Sequence, residues 1–369
     1  MSIRFLTSGE SHGQSLSAII EGIPYGYEID FDFINAELSA RQKGYGRGGR
    51  MLIEKDTAKF TSGICQGITT GSPIAITIKN KDWSNWNIPM SIEKLNLNLL
   101  DDKAKEKLAE KKITCFRPAH ADLAGCLKYG FDDIRRVLER SSARETATRV
   151  AVGAVAQNIL KNYNIEFTSE VLSIGQCSDK TKFEEYIKSY QQKGDSLGGI
   201  IKIVIKNTPA GLGSFVHWDK RLDAKLSGAI MSIPAVKSVE IGLGKEYAKL
   251  SGSITHDEIY FDYKYYHKTN NSGGIEGGMS NGEDIVLTLA MKPIPTMEHA
   301  LNSVELGTHQ KTDAHYERAD NCAVEACGVV ARNMAAITIL DAFLDKFTSD
   351  SKRDIDDTYL NYLKRLNEI

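Results

Sequence analysis

The stretch SSARETATRVAVGAVAQNIL, residues 141–160, decides the fold of this chain. Its small apolar residues recur at helical spacing, so they line one face of a helix. Ser142 and Glu145 have the spacing of a capping box, which predicts that this helix starts at Ser142. A second helix of small residues is predicted to begin near Asp320 and to run through CAVEACGVVARNMAAITILDAFLDKF. Small side chains allow two helices to pack closely, so both are predicted to form a buried inner layer.

Strands are predicted both before and after the helix that starts at Ser142. Four segments alternate between apolar and polar residues, as half-buried strands do: residues 72–80, 200–207, 236–244 and 284–293. Strands and helices interleave without strict alternation, and no repeat or low-complexity linker divides the chain. These patterns predict an α+β fold, with one domain over residues 1–369 in which antiparallel sheets cover a central helical layer.

Composition favours an ordinary globular enzyme. The chain is 41% hydrophobic and 25% charged, and its formal net charge is −2. That balance argues against a protein that coats nucleic acid or an anionic membrane. The longest apolar runs, such as AAITIL, are too short to span a bilayer, and the N-terminus lacks the apolar core of a signal peptide. None of the six cysteines belongs to a zinc-site spacing, so we expect a cytoplasmic protein without a metal.

The stretch RQKGYGRGGR, residues 41–50, concentrates positive charge on a flexible segment. Arg41, Arg47 and Arg50 carry planar forks of donors that bind phosphate or carboxylate through two hydrogen bonds. The glycines let backbone N–H groups approach an anion closely. A solvated basic loop and an RNA-binding segment are the alternatives. The motif occurs once and leads directly into strand-like sequence, which favours a folded anion pocket.

Two histidines lie on loops beside glycine or arginine. His12 lies in SGESHGQS, after a strand-like segment, and His120 lies three residues after Arg117 in FRPAHADLAG. Imidazole titrates near neutral pH and can therefore donate a proton during catalysis. An arginine beside a histidine suits a phosphate leaving group. A structural histidine is the competing interpretation at both positions.

Two further regions suit anions. Residues 140–142 precede a predicted helix start, where free N–H groups and the helix dipole favour negative charge. Arg318 and Asp320 lie at the predicted start of the second helix. The competing interpretation of Asp320 is a simple N-cap with no role in binding. The glycine-rich segment 270–296 includes Lys292 and could enclose a planar, phosphorylated cofactor; a long surface loop is the alternative.

From the residues alone, we expect an enzyme with an arginine-rich pocket for a multiply anionic small molecule, but the reaction stays open. The ordered motifs resemble those of the chorismate synthase family over nearly the whole chain. They are SGESHG, RQ-GYGRGGRM-IE-D, SG---G-TTGSPI, N-DW--W, RP-HAD, RSSARETA-RVA-GA-A, MSI-AVK-VEIG, GG--GG-SNG, KP and R-D.

The resemblance implies a reaction. Members of that family convert 5-enolpyruvylshikimate 3-phosphate to chorismate by a 1,4-anti elimination of phosphate. They require reduced FMN, although substrate and product differ by no net redox change. The flavin is thought to donate an electron transiently and to take the hydrogen near its N5. The resemblance also implies a β-α-β sandwich and a homotetramer, and some members reduce flavin with NADPH.

The resemblance assigns roles by position. It implies that His12 protonates the reduced flavin, that His120 protonates the leaving phosphate, and that Asp320 takes the proton from flavin N5. The implied substrate-binding residues are Arg41, Arg47, Arg50, Arg117, Arg144 and Arg318. The implied FMN-binding residues are Arg140, Ser141, Ser142, Pro234, Ala235, Gly277, Lys292, Pro293, Ile294, Pro295, Thr296 and Arg318.

The chain departs from the family pattern at a few of these motifs. Ala119 replaces glycine in RP-HAD, and Ala319 replaces histidine beside Asp320. Ile294 and Pro295 replace small polar residues after Lys292, which weakens the assignment of individual cofactor contacts there. None of these changes removes a proposed acid, base or substrate-binding arginine.

Two other classes of function stay open. A nucleic-acid-binding protein could use the basic segment 41–50, and salt-sensitive binding of RNA or DNA would support it. A flavin-dependent oxidoreductase that consumes NADPH is the other class. The chain has no G-x-G-x-x-G after a strand, which argues against a Rossmann-type nicotinamide domain.

Overall fold

Helices and strands interleave along the chain. A computed structural model describes residues 2–48, 55–317 and 320–368. The α-helices are α1 (Phe31–Gln42), α2 (Trp83–Trp86), α3 (Asp102–Lys111), α4 (Asp122–Tyr129), α5 (Arg135–Ser141), α6 (Thr146–Leu160), α7 (Phe183–Gln191), α8 (Leu222–Met231), α9 (Gly252–Thr255), α10 (Val324–Lys346) and α11 (Lys352–Glu368). The strands are β1 (Arg4–Ser8), β2 (Ser15–Glu21), β3 (Lys59–Ser62), β4 (Ile64–Cys65), β5 (Ile68–Thr69), β6 (Ile74–Lys79), β7 (Glu166–Ile174), β8 (Gly199–Lys206), β9 (Val236–Ile241), β10 (Ile259–Asp262), β11 (Lys264–His267), β12 (Ile275–Glu276), β13 (Met279–Ser280), β14 (Ile285–Met291), β15 (Asn302–Val304) and β16 (Lys311–Asp313).

Two antiparallel sheets of four strands carry most of the β structure. One has the order β1-β2-β6-β3 and the other β7-β8-β14-β9. In the first, Ala18 lies opposite Ile76, and in the second, Leu287 lies opposite Ile203. Along β6, β8 and β14 buried residues alternate with less buried ones, so each sheet has one face in the core. All four predicted strands are confirmed, as β6, β8, β9 and β14.

The two small-residue helices fill the space beside these sheets. Helix α6 contacts β2 and β6 on one side and α10 on another, while α10 contacts β7 and β8. A Cβ atom on Gly153 of α6 would lie 2.4 Å from the carbonyl oxygen of Asn333 in α10, so glycine permits this close approach. The α+β class with antiparallel sheets is confirmed. The single domain over residues 1–369 stays a prediction.

The inner helix is more buried than its sequence pattern predicts. Every residue of α6 except Arg149 is buried, whereas the periodicity indicated one apolar face. The reason is that α6 lies between a sheet and other helices, so small polar residues such as Thr148 are covered too. Thr148 satisfies its hydroxyl locally, by donating to the carbonyl of Glu145 at 2.7 Å.

Both predicted helix starts are wrong by four residues. Residues 143–145 form a 3-10 turn, in which the Ser142 hydroxyl accepts from the backbone N–H of Arg144 at 3.3 Å, and α6 begins at Thr146. The capping box does not form, because the Glu145 carboxylate pairs with Arg149 at 2.8 Å. The second helix begins at Val324 rather than near Asp320.

The expectation that no segment is apolar enough to span a bilayer is wrong for helix α10. Among the described helices it is long and apolar enough to cross a membrane, since small residues such as Ala and Gly extend its apolar character beyond any single run. However, 89% of its most apolar window is buried inside the protein. The sheet β7-β8 and helices α6 and α8 cover it, as they would a core helix.

Candidate active site

A buried carboxylate holds two of the predicted substrate-binding arginines. Arg41 lies in the last turn of α1, and Arg144 lies in the 3-10 turn before α6. Arg41 Nη2 donates to Asp56 Oδ2 at 3.1 Å, and Arg144 Nη1 lies 2.6 and 2.7 Å from the two oxygens of the same carboxylate. All three residues are at most 5% exposed. Their position is therefore fixed by contacts inside the protein rather than by solvent.

This cluster carries more positive than negative charge. The pKa of Arg41 is lowered to about 10, chiefly by burial, with Arg144 and Arg47 acting in the same direction and Asp56 opposing them. Burial alone would raise the pKa of Asp56, but Arg144 and Arg41 hold it below its usual value. Arg41 Nε is buried and has no hydrogen-bond partner among the described residues. Two guanidinium groups on one carboxylate make this a site where a bound anion is stabilised.

Asn80 joins the arginine cluster to the loop that carries His12. Arg144 donates from Nε and Nη2 to Asn80 Oδ1, at 3.0 and 2.8 Å. The Asn80 amide in turn donates to the carbonyl of Gly13 at 2.7 Å. Asn80 is 4% exposed and directly follows β6, so the edge of the first sheet positions both partners.

His12 is held by a carboxylate and an aromatic ring. Its Nδ1 lies 2.8 Å from Glu139 Oε1, and its backbone N–H donates to Glu139 Oε2 at 2.7 Å. The imidazole stacks on the indole of Trp86, with ring centroids 3.9 Å apart and an angle of 22° between the planes. The side chain of His12 is 12% exposed, so only a small part of the ring is open to a ligand.

His120 is held by a carboxylate on another turn, beside an arginine. Its Nδ1 lies 2.5 Å from Asp122 Oδ1, and Arg117 donates from Nε to Asp122 Oδ2 at 2.8 Å. Burial alone would raise the pKa of Asp122, but hydrogen bonds from His120 and Arg117 hold it well below its usual range. Ala119 has a φ of 61°, in the left-handed region that favours glycine. The departure from the family glycine therefore lies at a strained position in the turn that carries His120.

The glycine-rich basic loop folds back onto the segment before α10. Arg47 Nε lies 3.3 Å from Asp320 Oδ2, and the backbone N–H of Gly48 donates to Asp320 Oδ1 at 2.6 Å. Asp320 is thus a partner of this loop and not the N-cap of α10, whose cap is Ala323. Arg50 and Arg318, two further predicted substrate-binding residues, lie outside the described residues.

The segment after β14 contacts the His120 turn. The backbone N–H of Lys292 donates to the carbonyl of Ala235 at 2.9 Å, and its Nζ donates to the carbonyl of Ala119. Arg117 Nη1 lies 3.4 Å from Thr296 Oγ1. Burial lowers the pKa of Lys292, and the nearby Lys237 lowers it further. Two of the predicted cofactor positions, Lys292 and Thr296, therefore contact the turn that carries His120, and Ala235 is joined to it through Lys292.

The positions around the end of α5 lie beside the His12 loop. Arg140 donates from its guanidinium to the carbonyl oxygens of Thr7 at 2.9 Å and Gly9 at 3.2 Å. The hydroxyl of Ser141 donates to a carbonyl of its own helix, and that of Ser142 caps the 3-10 turn. Arg140 is exposed, so its guanidinium can reach a ligand phosphate as well as these carbonyls.

The remaining cofactor positions occupy turns. Pro234 lies between α8 and β9, and Pro293, Ile294 and Pro295 follow β14. Ile294 contributes a backbone carbonyl that accepts from Ser196 at 2.7 Å, so its apolar side chain does not remove that contact. Gly277 lies in the turn between β12 and β13 with a φ of 57°, and a Cβ atom there would meet no heavy atom within 4 Å beyond its chain neighbours.

Five further residues complete these clusters without having been assigned a role from the sequence. They are Asp56, Asn80, Trp86, Arg135 and Glu139. Three of them stand inside motifs that were quoted for the resemblance: Asp56 ends RQ-GYGRGGRM-IE-D, and Asn80 and Trp86 belong to N-DW--W. Their presence in those motifs was the available signal, but spacing gives no indication of which distant side chain each one contacts.

Cation binding does not fit these clusters. Within residues 2–48, 55–317 and 320–368, no three His, Cys, Asp or Glu side chains gather closely enough to hold a metal ion. The carboxylates of Asp56 and Asp122 are already bound by arginines, which would repel a metal cation. The arginines in these clusters instead suit an anion.

The chain is similar to known proteins over nearly its whole length. A family model described as chorismate synthase matches residues 3–344. The chain is 50% identical to the chorismate synthase of Caldanaerobacter subterraneus subsp. tengcongensis over 367 residues, covering 98% of this chain and 99% of that protein. It is 49% identical to the chorismate synthase of Thermoanaerobacter pseudethanolicus, with the same coverage. A crystal structure titled chorismate synthase matches with a TM-score of 0.78 at 36% identity, over 100% of this chain and 99% of that one.

Proposed function

The chain belongs to the chorismate synthase family and is a carbon–oxygen lyase, and from this premise we propose that it converts 5-enolpyruvylshikimate 3-phosphate to chorismate. The reaction is a 1,4-anti elimination of phosphate that requires reduced FMN and causes no net redox change. The observation that carries the proposal is the excess of buried positive charge around Asp56, close to a loop that holds His12.

The arginines account for substrate binding. The substrate carries a phosphate and two carboxylates, and a buried guanidinium binds such groups strongly because water does not compete. Arg41 and Arg144 supply the unbalanced charge, while Arg47 pairs with Asp320 and Arg117 pairs with Asp122. The resemblance adds Arg50 and Arg318 to this set.

His120 is proposed to protonate the leaving phosphate. Asp122 contacts the ring at Nδ1, so the other ring nitrogen, Nε2, is the one that would carry a proton to the phosphate oxygen. Arg117 lies beside it and stabilises the negative charge that develops on the departing group. The carboxylate of Asp122 remains ionised throughout, because its pKa is well below the working pH.

The residues fit a phosphorylated flavin. Arg140 and Lys292 are the cations that would hold the phosphate, and Lys292 is joined by hydrogen bonds to Ala235 and to the His120 turn. Reduced FMN, when bound, supplies a transient electron and accepts the hydrogen removed from the substrate ring. Following the resemblance, His12 holds the proton that neutralises the reduced cofactor, and Asp320 accepts a proton at its carboxylate.

The same premise supports proposals on assembly and location. We propose a homotetramer in the cytoplasm, in which each chain is a β-α-β sandwich that binds neither nucleic acid nor membranes. The contacts of α6 with the first sheet and of α10 with the second support the sandwich. The net charge of −2 supports the absence of nucleic-acid binding.

The test is an anaerobic turnover assay. Purified protein is mixed with 5-enolpyruvylshikimate 3-phosphate and chemically reduced FMN, and chorismate and phosphate are both measured. Oxidised FMN is the control. Equal amounts of the two products with reduced FMN alone would establish the reaction. No product, although substrate and FMN both bind, would refute it.

NADPH in place of the chemical reductant then separates the remaining classes. Product formation with NADPH and oxidised FMN would indicate a built-in flavin reductase. Steady NADPH oxidation that is independent of the substrate would instead favour an oxidoreductase. Salt-sensitive binding of RNA would favour the nucleic-acid alternative.

A further inference from the structure

Glu139 contacts His12 at two points. One carboxylate oxygen accepts the backbone N–H of His12 at 2.7 Å, and the other lies 2.8 Å from Nδ1 of the same residue. Glu139 is 2% exposed, so water does not compete for these contacts. An ionised carboxylate only accepts hydrogen bonds, which requires that Nδ1 carries a proton. In the neutral ring, Nε2 is then the unprotonated nitrogen, and in the imidazolium it carries the second proton.

Trp86 fixes the plane of the ring. The indole stacks on the imidazole with centroids 3.9 Å apart, and its own Nε1 donates to Asp82 at 2.9 Å. Arg135 lies over the same indole at 4.9 Å from its centroid and donates to Glu139 at 3.2 Å. Rotation of His12 about its side-chain bonds would break the stacking and the Nδ1 hydrogen bond together.

The charges around His12 come from several elements. Glu139 and Arg135 lie on α5. Glu317 lies on the segment before α10, and its carboxylate accepts a hydrogen bond from Arg135 at 2.8 Å. Burial alone would raise the pKa of Glu317, but His315, Arg135 and His12 lower it to about 2. Lys111, at the end of α3, lies 4.6 Å from the Trp86 centroid. Glu139 therefore contacts the imidazole, Glu317 interacts with it electrostatically, and the cations Arg135 and Lys111 lie against Trp86.

We infer that Glu139 and Trp86 are positioning residues for His12, and that they present Nε2 of its ring as the nitrogen that exchanges protons with bound ligands. The inference rests on the proposed function only for its effect on turnover. Neither residue is assigned a role by the resemblance. A buried carboxylate also contacts Nδ1 of His120, where Asp122 lies 2.5 Å away, but there Arg117 Nη2 lies 3.0 Å from the same nitrogen.

The decisive variant is Glu139→Gln. A glutamine has one acceptor and one donor, so it cannot accept from both the backbone N–H and Nδ1 of His12. The amide oxygen is expected to keep the 2.7 Å contact to the backbone, which turns the NH₂ group toward Nδ1 and disfavours the imidazolium. Glu139→Asp keeps the charge and serves as the conservative variant.

The first measurement does not require turnover. A nearby imidazolium quenches indole fluorescence, and Trp86 is one of three tryptophans, so Trp83→Phe and Trp218→Phe in the full chain isolate its signal. We expect a pH-dependent quenching step that disappears in His12→Ala. In Glu139→Gln the midpoint should move to lower pH by about one unit, because a carboxylate within hydrogen-bond distance favours the charged imidazole. In Glu139→Asp it should move less.

The second measurement is a double-mutant cycle on turnover with reduced FMN. Glu139→Gln should lower kcat by at least about 10-fold with little change in KM, because the wrong tautomer affects proton transfer and not binding. In the His12→Ala background the same change should have no further effect. Glu37→Gln is the matched control: it removes another buried carboxylate, bound by Arg332, that contacts neither histidine.

The outcomes separate this inference from the proposed function. An unmoved quenching midpoint in Glu139→Gln would overturn the positioning role, as would an equal loss of kcat with and without His12. If the wild-type protein does not turn over 5-enolpyruvylshikimate 3-phosphate, the proposed reaction fails by itself, and the fluorescence titration still decides the role of Glu139.

Discussion

Replacement of Asp56 by asparagine perturbs the centre of the arginine cluster. Asp56 is 5% exposed and accepts hydrogen bonds from Arg41 and from Arg144. The variant keeps the shape of the side chain but removes the only carboxylate in contact with these two guanidinium groups among the described residues. Both positive charges then stay buried and lose the counter-charge that Asp56 supplies.

The expected cost follows from that geometry. Removing one partner of a buried ion pair destabilises a protein by about 3–5 kcal/mol, because the remaining charge is left uncompensated. We therefore expect the free energy of unfolding of Asp56→Asn to fall by about that amount. Anion binding should become tighter, since the carboxylate no longer repels the ligand. Inorganic phosphate should then restore more stability to the variant than it adds to the wild type.

Urea denaturation at pH 7, with and without phosphate, measures both effects. Asp257→Asn is a suitable control, because Asp257 is held by the Thr269 hydroxyl and by the backbone N–H groups of Asn271 and Ser272 rather than by a cation. That control should lose some stability but should respond to phosphate as the wild type does. Equal stability of Asp56→Asn and wild type, or an unchanged response to phosphate, would refute the reasoning.

The contribution of Asp56 to the free energy of unfolding depends on pH in a defined direction. The folded pKa of Asp56 is held below its usual value, so its contribution is fully present above the unfolded pKa of about 3.9. It is lost as pH falls through the lower, folded pKa. The difference in stability between wild type and Asp56→Asn should therefore shrink below about pH 4. A difference that stays constant down to pH 2 would contradict this assignment.

Three other changes test the remaining clusters. Arg47→Ala should weaken substrate binding by about 2–5 kcal/mol in calorimetry. Lys43→Ala, at an exposed residue of the same loop, should not change it. Unchanged substrate affinity in Arg47→Ala would remove Arg47 from the pocket. His120→Ala should slow turnover by about 10²–10⁴-fold if proton transfer limits the rate, and full activity would exclude it as the acid. Ala119→Gly should stabilise the protein by up to about 1 kcal/mol in urea, because an alanine at a φ of 61° is strained; a loss of stability would contradict that explanation.

Local sequence patterns predicted the regular elements well. The strands β6, β8, β9 and β14 lie where their alternating pattern indicated, because a period of 2.0 residues reflects one buried face. The start of α6 was wrong because Glu145 has two possible partners. The capping-box spacing favours Ser142, but the salt bridge to Arg149 at i+4 forms instead.

For the candidate site, the sequence indicated the residue types, whereas the structure was needed to identify their partners. The sequence by itself determined which residue types are present: arginines and glycines in one loop, two histidines on others, and motifs whose order indicates the family. It could not determine partners such as Glu139 for His12, which lie 127 residues apart, or Asp56 for Arg144, which lie 88 apart. Only the tertiary structure decides these pairs. A buried charge is stable only beside its counter-charge, and the packing of distant helices and sheet edges selects which counter-charge that is.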